Sequence, residues 1–235
     1  MKKGLKLLIR ELPMALLILA VGYYALIQIS TIFWTPEPEF ALAPVRPRVI
    51  HDVTNRMLVH GLKMANSQAP DFNASDGNGR PYHLRGLVKQ GPVVLVFIKD
   101  GCPCSIAAQS YYNEIANAFD GKVTFLGVID GPQAVARQWA KKYHSVFPVL
   151  ADHDLSVIKA YGVESSAHMA LIDQQMKIVS LWPGFSKPML REAHQTIVSL
   201  GVDALSIGEF TDAPENLMTG CPFDVDWPSA ETFPN

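Results

Sequence analysis

Two cysteines, Cys102 and Cys104, lie one residue apart where a predicted strand is followed by a predicted helix. Residues 93–98 are apolar and mostly β-branched, which is typical of a strand buried on both faces, and residues 105–119 carry apolar side chains at helical spacing. A thiol in the first turn of a helix faces the positive end of the helix dipole and free backbone N–H groups, and both favour the reactive thiolate. The pattern therefore predicts that Cys102 is a nucleophile.

A disulfide between Cys102 and Cys104 closes a small, strained ring, and strain makes such a bond easier to reduce. We expect Cys102 to attack a disulfide and Cys104 to resolve the mixed disulfide that results. Cys221, the third cysteine, is an alternative resolving thiol if the C-terminal residues fold over the site, and an odd cysteine also suits an intermolecular bond. The structural alternative is that Cys102 and Cys104 are buried thiols without redox chemistry.

Four neighbouring residues complete the predicted site. The charge of Lys99 is expected to lower the pKa of Cys102 and the charge of Asp100 to raise it, although such side chains are more often simply solvated. Pro103 separates the two cysteines, and Ser105 follows them.

The elements that position these residues alternate between strands and helices along the chain. A turn at residues 76–79 predicts a hairpin before the first buried strand. The whole order predicts an α/β sandwich with a mixed central sheet. The predicted strands cover residues 93–98, 123–129, 147–150, 169–173 and 178–181, and the predicted helices cover residues 105–119, 133–143, 155–161 and 187–200.

Three stretches of the sequence are similar to those of a known superfamily. They are residues 69–72 (APDF) before the hairpin, the strand that leads into Cys102, and residues 147–152 with the segment that runs on to 171–173. Over residues 69–202 the chain resembles the thioredoxin-like superfamily, in particular its redoxin members (peroxiredoxin-like, AhpC/TSA type). The resemblance implies a thioredoxin-like sandwich, a nucleophilic Cys102 and a protein thiol or disulfide as the partner.

The sequence departs from the patterns of this superfamily at several positions near the site. In the thioredoxin motif Trp-Cys-x-x-Cys, the tryptophan corresponds to Gly101 and the second cysteine to Ser105. The buried acid of many thioredoxins corresponds to Val96, and the cis-proline that faces the site corresponds to Ala167. Peroxiredoxins keep a threonine or serine where this chain has Lys99 and an arginine where it has Ala167. The resemblance therefore favours an enzyme of thiol–disulfide exchange over a peroxidase.

An apolar segment precedes the domain. Residues 14–34 carry no charge and, as a helix, are about 30 Å long, which is the hydrocarbon thickness of a bilayer. Because the basic side chains of residues 1–13 precede it, we expect a cytoplasmic N-terminus, one transmembrane helix in a bacterial-type inner membrane and a periplasmic domain. A cleaved signal peptide is the alternative, but the run exceeds the usual signal core. The predicted organisation continues with a proline-rich spacer and short helix at 35–68, the thioredoxin-like domain at 69–202 and an irregular tail at 203–235.

The composition narrows the choice of partners. The formal net charge is −2, which gives no basic surface for nucleic acid, and no glycine-rich phosphate loop follows the first strand. We therefore expect no nucleic-acid partner and no organic cofactor. The predicted partners are the membrane and a protein thiol or disulfide, or a larger membrane complex.

Two other classes of function remain open from the sequence. Two thiolates one residue apart suit Cu(I), with His168 as a third ligand if Ala167 lies opposite the site. An anchored domain with an altered motif is also typical of a non-catalytic accessory subunit of a membrane complex. The remaining histidines show no ligand spacing and are interpreted as surface or linker residues: His51, His60, His83, His144, His153 and His194.

Overall fold

The computed structural model of the chain describes residues 51–227 together with Tyr23, which is helical. The rest of the predicted transmembrane segment 14–34 lies outside the described residues, as do the predicted cytoplasmic end, the first part of the spacer and residues 228–235. Among the residues that are described, no helix combines the length and the apolar character needed to cross a membrane.

Helices and strands alternate through the described part of the chain, in the order that the sequence pattern predicts for its central region. The helices are α1 (Asn55–Met64), α2 (Leu84–Leu87), α3 (Pro103–Ala118), α4 (Gln133–Lys142), α5 (Ser156–Ala160) and α6 (Lys187–Ser199). The strands are β1 (Asn73–Ser75), β2 (Pro81–His83), β3 (Val93–Ile98), β4 (Thr124–Ile129), β5 (Val149–Ala151), β6 (Met169–Ile172) and β7 (Ile178–Trp182).

The central sheet has five strands in the order β5-β4-β3-β6-β7. On one side of β3, β4 and then β5 each run parallel to the neighbouring strand. On the other side, β6 runs antiparallel to β3, and β7 runs antiparallel to β6. β1 and β2 form a separate antiparallel hairpin around the predicted turn. The prediction of an α/β fold with a mixed central sheet is therefore confirmed.

β3 lies at the centre of this sheet, and each of its side chains is at most 2% exposed. The side chains of Val94, Val96 and Ile98 pack in the core that includes residues of α3 and α6. The side chains of Leu95 and Phe97, which point the other way, pack in the core that includes residues of α5. Burying each such side chain stabilises the fold by about 1.5–3 kcal/mol. The strand is therefore fixed on both faces, and its carboxyl end holds the following loop in place.

α3 follows this loop and begins at the cysteine pair. Cys102 is the N-cap residue and Pro103 occupies the first turn, where its missing N–H removes no helical hydrogen bond. The apolar face of the helix packs on the sheet, and the hydroxyl of Tyr112 donates to the carbonyl of Ala167 at 2.7 Å. Both groups are buried, so this bond ties α3 to the segment just before β6.

The described part of the predicted tail, residues 203–227, contains no helix or regular strand. Within it, residues 217–223, called the C-terminal strap below, lie against the segment that precedes β6. The N–H of Gly220 donates to the carbonyl of Ser166, and the N–H of Ser166 donates to the carbonyl of Cys221, each at 2.9 Å. A Cβ atom at Gly220 would lie 2.0 Å from Ser166 Oγ and 2.7 Å from Ser166 O, so only glycine allows this close approach.

Candidate active site

Cys102 lies at the junction of β3 and α3, as the sequence predicts. The loop between the two elements turns at Gly101, whose φ of +71° is in the left-handed region that favours glycine. Cys102 is the N-cap residue of α3 and makes no side-chain capping bond; its sulfur accepts hydrogen bonds from Ser166 and from the backbone of Cys221 instead. Only 2% of the residue is exposed, because the C-terminal strap covers it.

The sulfur of Cys102 is surrounded by hydrogen-bond donors. The hydroxyl of Ser166 donates to it at 3.3 Å, and the backbone N–H of Cys221 donates at 3.1 Å. The thiol groups of Cys104 and Cys221 are close enough to act on its pKa. The hydrogen bond from Cys104 is the largest cause that lowers the pKa of Cys102; burial opposes it, and the bonds from Cys221 and Ser166 add to it. Cys102 is therefore held as a thiolate.

Cys104 is the proton donor in this arrangement. It is 1% exposed, and its hydrogen bond to Cys102 is the largest cause that raises its pKa, followed by burial. On its other side, Nδ1 of His51 lies 3.3 Å from Cys104 Sγ. Cys102 and Cys104 are thus matched as a thiolate and a thiol, which is the arrangement that a nucleophile and its resolving partner require.

Cys221 joins the same cluster from the C-terminal strap. It is partly exposed, whereas Cys102 and Cys104 are buried. Burial and the hydrogen bond to Cys102 raise the pKa of Cys221, and the charge of Lys99 acts in the opposite direction. The structure therefore brings the predicted third cysteine into contact with the predicted nucleophile.

In the structure Lys99 pairs with two carboxylates, and its charge is not among the main causes that shift the pKa of Cys102. Its ammonium group pairs with the carboxylates of Asp130 at 3.3 Å and Asp224 at 2.8 Å. Its charge acts to lower the pKa of Cys221. Burial lowers the pKa of Lys99, but the bonds and charges of these two carboxylates outweigh it, and the pKa is raised. Lys99 therefore helps to fasten the residues next to the strap to the loop after β3.

Two other predicted neighbours, Asp100 and Ser105, form hydrogen bonds that hold the loop before Cys102. The backbone N–H of Asp100 donates to the carboxylate of Asp130 at 2.8 Å, and the Asp100 residue is exposed. Ser105, buried in α3, accepts the N–H of Lys99 through its hydroxyl at 3.2 Å. Where thioredoxins have a second cysteine, this chain thus has a serine that fixes the loop leading to Cys102.

The segment opposite the site contributes Ser166, which the sequence analysis missed. Ala167, the expected counterpart of the cis-proline, is 1% exposed and has a φ of +60°. The preceding residue, Ser166, presents its hydroxyl to Cys102 and pairs its backbone with the strap. The resemblance that placed Ala167 opposite the site was the signal that could have identified its neighbour.

The structure does not bring Cys102, Cys104 and His168 together as a set of metal ligands. His168 is 2% exposed, and its Nδ1 lies 3.4 Å from the carbonyl of Ser166, within its own segment. Burial lowers the pKa of His168 to about 4, and the nearby His60 adds to the effect, so its imidazole is neutral. No set of three or more His, Cys, Asp or Glu side chains within residues 51–227 is arranged to hold a metal ion.

His51 is the second residue that the sequence analysis missed, having interpreted it as a linker residue. Its ring contacts Cys104, and its carbonyl accepts the N–H of Thr219 from the strap at 2.9 Å. These partners are far from it along the chain, and no local pattern marks the contact.

The comparisons with known proteins agree with this fold. Residues 65–181 match the model of the AhpC/TSA family. These residues are similar to redoxin domains of the AhpC/TSA family, and their strands and helices form a thioredoxin-like fold. The expectation drawn from the resemblance is confirmed for the domain.

Curated relatives of the chain share one printed name. A thiol-disulfide oxidoreductase ResA from Geobacillus thermodenitrificans is 28% identical over 187 residues, which cover 78% of this chain and 91% of that protein. The protein of the same name from Bacillus subtilis is 28% identical over 137 residues, covering 57% of this chain and 76% of that protein.

Solved structures support the fold. The peroxidoxin BcpB from Mycobacterium tuberculosis superposes with a TM-score of 0.53 at 21% identity, covering 58% of this chain and 97% of that chain. An uncharacterized conserved protein from Geobacillus kaustophilus superposes with a TM-score of 0.55 at 20% identity, covering 71% and 94% of the two chains.

Proposed function

We propose that this chain is a thiol–disulfide oxidoreductase in which Cys102 is the nucleophile and Cys104 is the resolving thiol. The observation that carries the proposal is the set of donors around Cys102 Sγ at the start of α3. Donors that stabilise a thiolate lower the pKa of the attacking sulfur and also make it a good leaving group. The printed names of the relatives support the same class of reaction.

The proposed cycle begins when the Cys102 thiolate attacks one sulfur of a partner disulfide. A bond forms between Cys102 and that sulfur, the disulfide of the partner breaks, and its second sulfur leaves as a thiolate. Cys104 then forms a bond to Cys102 while the bond between Cys102 and the partner breaks. The partner disulfide is reduced to two thiols, and Cys102 and Cys104 are oxidised to a disulfide. Run in reverse, the same steps oxidise a dithiol partner.

The proposal includes the location predicted from the sequence. The uncharged segment 14–34 anchors the chain in an inner membrane, and the basic residues before it keep the N-terminus in the cytoplasm. The redoxin domain then faces the periplasm, where protein disulfides persist. The partner is therefore a protein with a thiol pair or a disulfide on that side of the membrane.

A second candidate function is a non-catalytic accessory subunit of a membrane complex. The burial of Cys102 beneath the strap favours it, because a partner disulfide cannot reach a sulfur that is 2% exposed without movement of the strap. The charge arrangement at the cysteines favours catalysis instead, since a purely structural core has no need of a stabilised thiolate.

The two functions are distinguished by the redox behaviour of the reduced full chain across a series of glutathione ratios. Alkylation and mass mapping are expected to show a reversible bond between Cys102 and Cys104, with a potential between about −270 and −120 mV. The variants Cys104→Ser and Cys221→Ser identify the partner: a bond that survives in Cys104→Ser but not in Cys221→Ser assigns the resolving role to Cys221. If Cys102 remains a free thiol at every ratio, the accessory function is the correct one.

A further inference from the structure

The resolving step of the proposed cycle needs a base that takes the proton of Cys104. Cys104 must lose its proton to attack, but it is buried, and burial raises its pKa even when Cys102 is bonded to the partner. Val96 stands where many thioredoxins have a buried acid, and it is an apolar residue that is 1% exposed. The proton of Cys104 must therefore leave by another route.

His51 is placed for this role. Its Nδ1 lies 3.3 Å from Cys104 Sγ, while the residue as a whole is exposed to solvent. It thus connects a buried thiol with bulk water. Its backbone is fixed because its carbonyl accepts the N–H of Thr219 and because Asp52 pairs with Met218 of the strap.

We propose that His51 is the general base that accepts the proton of Cys104 when this thiol attacks the mixed disulfide at Cys102. The inference rests on the proposed function. In the resting state, Cys104 donates to the Cys102 thiolate. Once Cys102 is bonded to the partner, that anionic acceptor is gone, and Nδ1 of His51 is the acceptor that remains within hydrogen-bond reach of Cys104.

The proposed step balances as follows. The S–H proton of Cys104 moves to Nδ1 of His51, and the sulfur forms a bond to Cys102 Sγ. The bond between Cys102 and the partner sulfur breaks, and that sulfur leaves as a thiolate. The exposed imidazolium then returns its proton to the leaving thiolate or to water. The sulfur of Cys104 is oxidised and that of the partner is reduced.

The pH dependence of the resolving step depends on the charged groups around His51 and Cys104. Once Cys102 is bonded to the partner it carries no charge, and the raised pKa of Cys221 favours its neutral thiol; Lys99 lies beyond Cys221. On the His51 side, the exposed Asp52 follows it in the chain. Because only a neutral imidazole accepts a proton, resolution is expected to be faster at higher pH.

The test separates the two steps of one turnover in the reduced full chain carrying Cys221→Ser, so that Cys221 neither reacts nor resolves, using 5,5′-dithiobis(2-nitrobenzoic acid) as the disulfide in stopped flow. The first equivalent of nitrothiolate reports the attack by Cys102, and the second reports the resolution by Cys104. His51→Ala is expected to slow the second phase by about 10²-fold or more and to leave the first phase unchanged. Added imidazole is expected to restore the second phase, which a merely structural role of His51 does not allow. His153→Ala, at an exposed histidine in the turn after β5, is the matched control.

Each other outcome has a definite meaning. If both phases of His51→Ala match those of the Cys221→Ser parent in rate and pH profile, His51 is not the base, while the proposed function stands. If imidazole does not restore a slowed second phase, and His51→Asn, which keeps an acceptor without a base, resolves at the normal rate, the ring only positions Cys104. If no nitrothiolate is released through Cys102 in the wild type, the proposed function itself fails.

Discussion

Replacing Cys102 with serine is expected to reduce disulfide exchange to less than about a thousandth of the wild-type rate. The physical reason is that a serine hydroxyl at this position stays protonated and is a poor nucleophile, even with the donors of Ser166 and Cys221 in place. The measurement is the rate of thiol release from a disulfide-containing protein substrate, with a dithiol as the final reductant.

Two further variants provide the control for this prediction. Cys104→Ser keeps the Cys102 nucleophile and is expected to form mixed disulfides that resolve slowly. Cys221→Ser keeps both the nucleophile and the resolving thiol, and it retains the backbone N–H that donates to Cys102. Its rate is therefore expected to stay closest to that of the wild type. Equal activity in Cys102→Ser and in the wild type contradicts the assignment of Cys102.

The second large effect is expected from Gly220→Ala in the C-terminal strap. The new Cβ atom would lie 2.0 Å from Ser166 Oγ and 2.7 Å from the Ser166 carbonyl, so the backbone of the strap must shift. Such overpacking costs about 1–3 kcal/mol of unfolding free energy. Displacement of the strap uncovers Cys102 and removes the two donors of Cys221 from its sulfur.

Alkylation of Cys102 by iodoacetamide as a function of pH measures both consequences. Loss of the donors raises the pKa of Cys102, so the rate profile of Gly220→Ala is expected to shift to higher pH. Greater access is expected to raise the alkaline plateau by about tenfold or more. The control is Gly86→Ala, where a Cβ atom meets nothing within 4 Å. A Gly220→Ala profile identical to that of the control contradicts the covering role of the strap.

The parts of the site that the sequence predicts are those built from neighbours along the chain. β3 is a continuous apolar run, and the cysteine at the start of α3 directly follows its loop, so Cys102 and Cys104 were identified by local pattern alone. The mixed sheet follows from the order of strands and helices in the same way. The spacing of apolar residues is enough to predict these elements, because each helix must bury one apolar stripe and each central strand must bury both faces.

The contacts that tune the site were not predicted, because they join residues far apart in sequence. Ser166 reaches Cys102 across 64 positions, and the N–H of Cys221 reaches it across 119. The ring of His51 reaches Cys104 across 53 positions. Such pairs depend on the register of the strap against the segment before β6, and that register is set by the glycine at position 220 rather than by any periodic pattern.

The partners of Lys99 were not predicted for a similar reason. In the sequence, Lys99 is a charge three residues from Cys102, and proximity favours an effect on its pKa. In the structure, the side chain turns to Asp130 after β4 and to Asp224 near the strap, which satisfies its charge. Distance along the sequence does not identify these two carboxylates as partners, whereas their position in the fold does.

The central claim is that Cys102 is the sulfur that exchanges with a partner disulfide. The most direct test is to incubate the full-length double variant Cys104→Ser/Cys221→Ser with a disulfide-linked peptide and to map the adducts by mass spectrometry. The account predicts one peptide bound through a disulfide to Cys102 and released by a dithiol, because neither resolving thiol remains. A folded double variant that carries no adduct on Cys102, while the same chain reacts fully after unfolding, contradicts the account and makes the cysteine cluster a structural feature.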